Sequence, residues 1–168
     1  TTLLALRKTA PGLAVQIEDG TRDVMMNALR RGEIDCVIGR LDAAASDRDL
    51  NIEKLIELPI AVVVSPSHPL VRKKRLSWPD LLPYPWILPQ HGAPVRMAVD
   101  REFMDLGLVP PTPAIESTSF RLIQAIVAAT EMIGVVTYEA SLSYARTGEL
   151  AVLPVKLTKR LPHIGVIT

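Results

Sequence analysis

Three short runs, "IDCVIG" (34–39), "LPIAVVVS" (58–65) and "IGVVT" (133–137), are apolar at nearly every position and show no alternation of faces. A strand of that kind is stable in water only if both its faces are covered, which points to a parallel sheet between layers of helix. The chain supplies the helices. "TRDVMMNALRRG" opens on Thr21 as N-cap, has Asp23 in its first turn and Arg30 and Arg31 in its last, and stops at Gly32. Val24, Met25, Ala28 and Leu29 form its apolar stripe. From Pro94 to Gly107, Val95, Ala98, Val99, Phe103 and Leu106 share one side, and "FRLIQAIVAATE" is apolar almost all round, the pattern of a central, buried helix. A shorter helix over about 139–146 ends at Gly148. Strand and helix alternate throughout, which argues a doubly wound α/β architecture with right-handed crossovers.

The remaining segments fit between these. Leu3, Leu4 and Leu6 lie in a helical stretch ended by "TAPG", and "LAVQIE" (13–18) alternates at strand period. Pro66, Pro69, Pro79, Pro83, Pro85, Pro89 and Pro94 fall so close together that only short elements fit there, a turn at "SWPDLL" and a strand at "WIL". "PAIES", "LAVLPV" and "HIGVI" read as further strands, the last without a helix to cover it.

With 168 residues the chain is long enough for one sizeable core or two small lobes, and no apolar run reaches the length of a membrane helix. Nineteen Lys and Arg against eighteen Asp and Glu leave a net charge of +1, without the basic excess that drives phosphate-backbone binding. One cysteine, Cys36, excludes a disulfide framework; placed in an apolar strand, it is expected to be a small, inert core residue. A reducing, cytoplasmic setting fits this usage, and the opening residues carry no basic-then-apolar export pattern. No nucleophile stands with a base, no glycine loop would cradle phosphate, and no histidine pair has metal spacing. His68, between Ser67 and Pro69, reads as a turn histidine. No catalytic residue, metal or cofactor is therefore expected.

Polar residues do collect where strands give way to helices, the positions that face the ligand crevice of open α/β sheets. Thr21 precedes one helix, "PQHGAP" (89–94) a second and "STS" (117–119) a third. Each helix start exposes backbone N–H groups that suit a carboxylate or phosphate. Thr21 and Ser119 are equally suited to plain capping. Arg40 stands at the end of the "IDCVIG" strand, where a guanidinium can clamp an anion; a surface salt bridge with Asp42 is the alternative.

"LRKTAPGLAVQIEDGTRDVMMNALRRGEIDCVIGRL", followed by "SPSHPL", "LSWPDLLPYPWIL", "GLVPP" and the "IVAA" helix, resembles the effector-binding domain of LysR-type transcriptional regulators over essentially the whole chain. The resemblance implies a type 2 periplasmic-binding-protein-like fold: two doubly wound α/β lobes joined by two crossing strands, with an inducer between them. Lobe I would comprise 1–57 with 156–168 returning to it, and lobe II 58–155. The family's N-terminal winged helix-turn-helix, linker helix, first strand and C-terminal helix fall outside this sequence on that reading. Carried over by position, Thr21, Arg40, Gln90, His91, Gly92, Thr118, Ser119 and Phe120 match the ligand pocket. "TEMIGVVT" departs from the family's usual "G-x-G-I-x-x-x-P", with Thr130, Met132 and Thr137 in place of two glycines and a proline, so no pocket role carries over to Thr137.

The implied function is a sensor that binds a small anionic or polyhydroxylated effector, pairs as a homodimer or tetramer, and reaches DNA only through the separate helix-turn-helix. RNA polymerase is a candidate partner of the full-length protein, and no membrane partner is implied. A solute-binding protein of a transporter uses the same fold and is the alternative, with an enzyme third. Because charge is balanced and no reading helix is recognisable, this chain alone should show no sequence-selective retention of a promoter fragment at physiological salt. Sub-micromolar, sequence-dependent binding in an electrophoretic shift assay would contradict this.

Overall fold

The structure, a computed structural model, describes residues 2–41, 49–158 and 161–168. Two sheets organise it. The first is antiparallel and three-stranded, with β1 (Val37–Arg40) and β2 (Ile52–Ile56) on either side of β8 (Ile164–Ile167). The second contains β3 (Ile60–Val64), β4 (Trp86–Leu88), β5 (Ile115–Glu116), β6 (Ile133–Thr137) and β7 (Ala151–Val152) in the order β5-β4-β6-β3-β7. Here β4 runs parallel to β5 and β6, whereas β3 runs antiparallel to β6 and β7. The helices are α1 (Thr2–Thr9), α2 (Arg22–Arg30), α3 (Pro94–Asp105), α4 (Phe120–Ala129) and α5 (Tyr138–Thr147), with single 3-10 turns at Pro69–Arg72 and Trp78–Leu81.

The five-stranded sheet has the two-sided cover that its apolar runs demand. Val62, Val64, Trp86, Leu88, Ile133 and Val135 face a core with Trp78, Leu81, Val99 and Phe103. Val63, Ile87 and Val136 face the opposite side, with Ile123 and Val127 of α4 and Leu150. Val62, Val63 and Val64 are completely buried, each favouring the fold by roughly 1.5 kcal/mol. Gly134 lets α4 approach closely: a Cβ there would lie 2.8 Å from Val127 Cγ2 and 3.0 Å from Ile123 Cγ2.

The three-stranded sheet departs from the expected parallel, doubly covered strand. β1 lies antiparallel to β8, and α2 packs against it over a small cluster of Met26, Leu41 and Ile167. Ile38 is 68% exposed, and Cys36 is exposed rather than a core residue. "LAVQIE" forms no strand. Its alternation is real, but no described strand lies alongside to pair its backbone groups, and Leu13, Val15 and Ile17 remain exposed. The helix after Ser119 is not central either: α4 lies on the outside of the sheet, burying Ile123 and Val127 while Phe120 and Leu122 stay exposed. Leu106 falls just past the end of α3 and is exposed as well. Among the described residues no helix is long and apolar enough to cross a membrane.

His68 is buried at the start of the first 3-10 turn. Its Nδ1 accepts from the Leu70 N–H at 3.1 Å, which leaves Nε2–H to donate to the Glu131 carbonyl at 3.2 Å, and Tyr84 packs against the ring. Burial lowers the imidazole pKa, only partly offset by the Glu131 carbonyl. A folded-state pKa below the unfolded value means that the unfolded chain takes up the proton first, so stability is lost as pH falls through the ordinary histidine range near ~6.5. His68→Asn keeps a cap acceptor but cannot titrate, so it should lose less of its urea midpoint between pH 7.5 and 5.5 than the parent does. Equal losses would show that His68 does not contribute to the acid sensitivity.

Candidate ligand-binding site

The carboxyl ends of β4, β5 and β6 lie along one edge, because the three strands are parallel neighbours. Leu88 pairs with Glu116, and the Ser117 N–H donates to the Leu88 carbonyl at 2.9 Å, so the chain leaves both strands in register. Immediately beyond Leu88, the Ala93 N–H donates to Gln90 and closes a turn in which Gly92 takes a φ of +88°, a conformation that favours glycine over residues with a Cβ. Beyond Glu116, Thr118 and Ser119 lead into α4. Gln90, His91, Gly92, Thr118, Ser119 and Phe120 therefore stand on adjacent turns of one edge, all exposed.

Three helices start at this edge, and their starts differ. Ser119 Oγ accepts from the Leu122 N–H at 3.4 Å, and Thr137 Oγ1 accepts from the Ala140 N–H at 3.3 Å, so α4 and α5 are capped by their own side chains. For Ser119 the capping role is thus the one observed. The residue before α3 is Ala93, which has no side-chain acceptor. On the other sheet Thr21 holds the N-cap position of α2 in extended conformation, but its side chain makes no capping hydrogen bond. The first N–H groups of α2 and α3 thus lack a side-chain cap.

Arg40 is drawn to the same edge by a different route. β3 is antiparallel to β6, so its first residue, Ile60, pairs with Thr137, and the Tyr138 N–H donates to the Pro59 carbonyl at 2.9 Å. One residue earlier, the Leu58 carbonyl accepts from Arg40 Nη2 at 2.7 Å, while Arg40 Nη1 donates to the Pro162 carbonyl at 3.0 Å. Burial lowers the Arg40 pKa, yet a guanidinium starts so high that the charge is kept. Arg40 thus also serves the fold: two of its five donors hold backbone. Nε–H and one N–H on each Nη remain for other partners. The alternative partner, Asp42, lies outside the described residues.

Sequence reasoning missed Arg96. Its Nε donates to both carboxylate oxygens of Asp100 at 2.9 and 3.0 Å, and Nη1 reaches the Pro89 carbonyl at 3.5 Å and Glu116 at 3.4 Å. Pro89 leads into the Gln90–Gly92 turn and Glu116 into the Thr118–Phe120 segment, so one buried cation ties the two loops. The signal was present: Arg96 and Asp100 stand four apart, on the side of α3 that also carries Val99 and Phe103. Glu102, also buried on α3, accepts from both N–H and Oγ1 of Thr158 at 2.5 and 3.0 Å. A separate cavity of about 560 Å³ opens beside the 57–61 segment, between Tyr138 and residues 152–158 and 161; none of the eight candidate residues lines it.

The model of the LysR substrate binding domain matches residues 1–168. The chain belongs to that family. The HTH-type transcriptional regulator GalR of Pseudomonas putida is 30% identical to this LysR domain over 164 residues, which is 96% of the domain and 41% of that protein. The chain thus spans less than half of this relative's length. The regulatory domain of CcmR from Synechocystis, solved in complex with 2-PG, superposes with a TM-score of 0.78 at 22% identity, over 99% of this chain and 78% of that one. A full-length BenM mutant superposes with a TM-score of 0.73 at 25% identity, covering 99% of this chain and 55% of that chain.

Removing Arg96 from the LysR domain leaves the Asp100 carboxylate buried without its partner. Arg96→Met should cost about 3 kcal/mol or more in urea unfolding, and adding Asp100→Leu should recover a large part of that loss. A single-variant cost below about 1 kcal/mol, the range of an exposed pair, would mean that Arg96 does not organise the two loops.

Proposed function

We propose that this domain is the sensing half of a LysR-type regulator and that a small anionic or polyhydroxylated metabolite binds between its two sheets. On this reading 1–57 with 156–168 form lobe I and 58–155 form lobe II. Thr21 and Arg40 offer contacts from the first, and Gln90, His91, Gly92, Thr118, Ser119 and Phe120 from the second. The carrying observation is the shared edge: uncapped N–H groups at the start of α3, exposed polar turns after β4 and β5, and a retained guanidinium charge beside the start of β3. Such donors suit oxygen-rich ligands, and exposed Phe120 offers an apolar surface beside them. Binding and not catalysis is the proposed activity, in keeping with the regulators among the relatives.

Closure of the lobes would bias how a DNA-binding segment elsewhere in the full-length protein is held, within a homodimer or tetramer in the cytoplasm and in reach of RNA polymerase. The transporter reading is disfavoured by the relatives, since GalR of Pseudomonas putida is a transcriptional regulator. A thermal-shift screen of the domain against a metabolite panel tests the proposal. A true effector at about 100 times its Kd should raise the midpoint by roughly 5–10 °C. Gln90→Ala, an exposed change, should leave the ligand-free midpoint within about 2 °C while weakening the effector by roughly tenfold, the usual scale for one or two lost hydrogen bonds. Undiminished affinity in Gln90→Ala and in a parallel His91→Ala variant would move the site away from this edge.

A further inference from the structure

The first connection between the sheets is held by opposite partners at consecutive residues. The Leu58 carbonyl belongs to Arg40, the last residue of β1 in the three-stranded sheet. The Pro59 carbonyl belongs to the Tyr138 N–H, just past the end of β6 of the five-stranded sheet. The point at which this connection passes from one body to the other thus lies between those two carbonyls, at Pro59. The peptide that carries the Leu58 carbonyl is planar, and the proline ring fixes φ and leaves no N–H to offer either sheet, so ψ of Pro59 is the one soft torsion between the two anchored carbonyls.

Arg40 also holds the returning connection. In the first sheet, Arg40 pairs with Ile164 of β8, and Ile56 of β2 pairs with the same residue from the far side. The guanidinium extends past the end of both pairings, reaching Leu58, two residues beyond Ile56, and Pro162, two residues before Ile164. One side chain therefore joins both connections where they leave the sheet. Next to it, the Leu41 N–H donates to the His163 carbonyl at 2.8 Å, and His163 lies 3.5 Å from Glu57 across the same two segments, a looser, exposed pair. Arginine suits the position because its planar fork directs separate nitrogens at two acceptors, where an ammonium would centre on one.

We propose that Arg40 is a positioning residue that sets the angle between the two lobes, by pinning both connections to β1 and confining bending of the first to ψ of Pro59. This rests on the two-lobe reading given above, but it needs no ligand. Loss of the pin frees Leu58 and Pro162 together, so the lobes reorient while each remains folded. Retained charge without the fork, as in Arg40→Lys, holds one carbonyl at a time.

The test is a pair of spin-label distances in the ligand-free domain. One pair places labels on exposed native Cys36 and on Arg101→Cys in α3, one in each lobe. The other, in a Cys36→Ser background, places both within the five-stranded half, on Arg101→Cys and Arg146→Cys. With Arg40→Met the distance distribution between lobes should broaden about twofold or shift by several ångströms, on the order of small hinge motions, while the distance within the half stays unchanged. Arg40→Lys should fall between the two and serves as the readout if the Met variant does not fold. A between-lobe distribution equal to the parent's in whichever variant folds, even with a lowered melting midpoint, would overturn the proposal and make Arg40 a local brace of β1. That result would leave the effector screen untouched, just as a failed screen would leave these distances valid.

Discussion

The antiparallel ladder between β3 and β6 is the constraint from which the rest of the arrangement follows. It joins residues more than seventy positions apart, Ile60 to Thr137 and Val63 to Gly134, and buries both strands between two hydrophobic clusters. β6 is parallel to β4, so reversing β3 against it brings the incoming connection to the edge where α3, α4 and α5 begin. Had β3 run parallel, Leu58 and Pro59 would enter at the opposite end, away from the exposed turns after β4 and β5. The direction of one buried strand thus decides that the connection and the candidate ligand contacts share an edge.

Two arginines hold that edge, and their energetics differ. Arg96 is buried with its charge met by Asp100, so its gain and the desolvation of both ions largely cancel, and what remains is the geometry it imposes on the two loops. Arg40 is only half-buried and has no described carboxylate partner; it is held by carbonyl dipoles, which satisfy two donors without neutralising the charge. The first is suited to keeping loops in place, and the second to keeping a positive potential near the strand ends.

Much of this was legible in the sequence where local and global demands agree. The double-sided runs at 58–65 and 133–137 are the covered strands expected, although β3 pairs antiparallel and not parallel, and Gly32, Gly107 and Gly148 end their helices with positive φ. The polar turn after β4 could be placed because proline and glycine punctuate it, and the one after β5 by its run of Ser117, Thr118 and Ser119. What failed depended on partners that no local pattern encodes. "LAVQIE" alternates as a strand should, yet a strand exists only against a neighbour; "IDCVIG" is apolar, but its sheet is covered by α2 on one side. The roles of Leu58 and Pro162 are carried by main-chain carbonyls, which every residue has, so no sequence signal marks them.

The central claim is that the edge where α3 and α4 begin, with the start of α2 on the other sheet, and not the cavity beside residues 57–61, receives the effector. Amide chemical-shift mapping of the isotope-labelled domain, titrated with a metabolite that stabilises it, addresses this directly. The account predicts that the perturbed amides cluster at Arg22–Val24 and at Val95 and Arg96, where the helix starts lack a side-chain cap, and at the exposed turns around His91 and Thr118–Arg121. Perturbations confined to Leu58–Ala61, Val152–Thr158 and Tyr138, with those three helix starts unmoved, would contradict it.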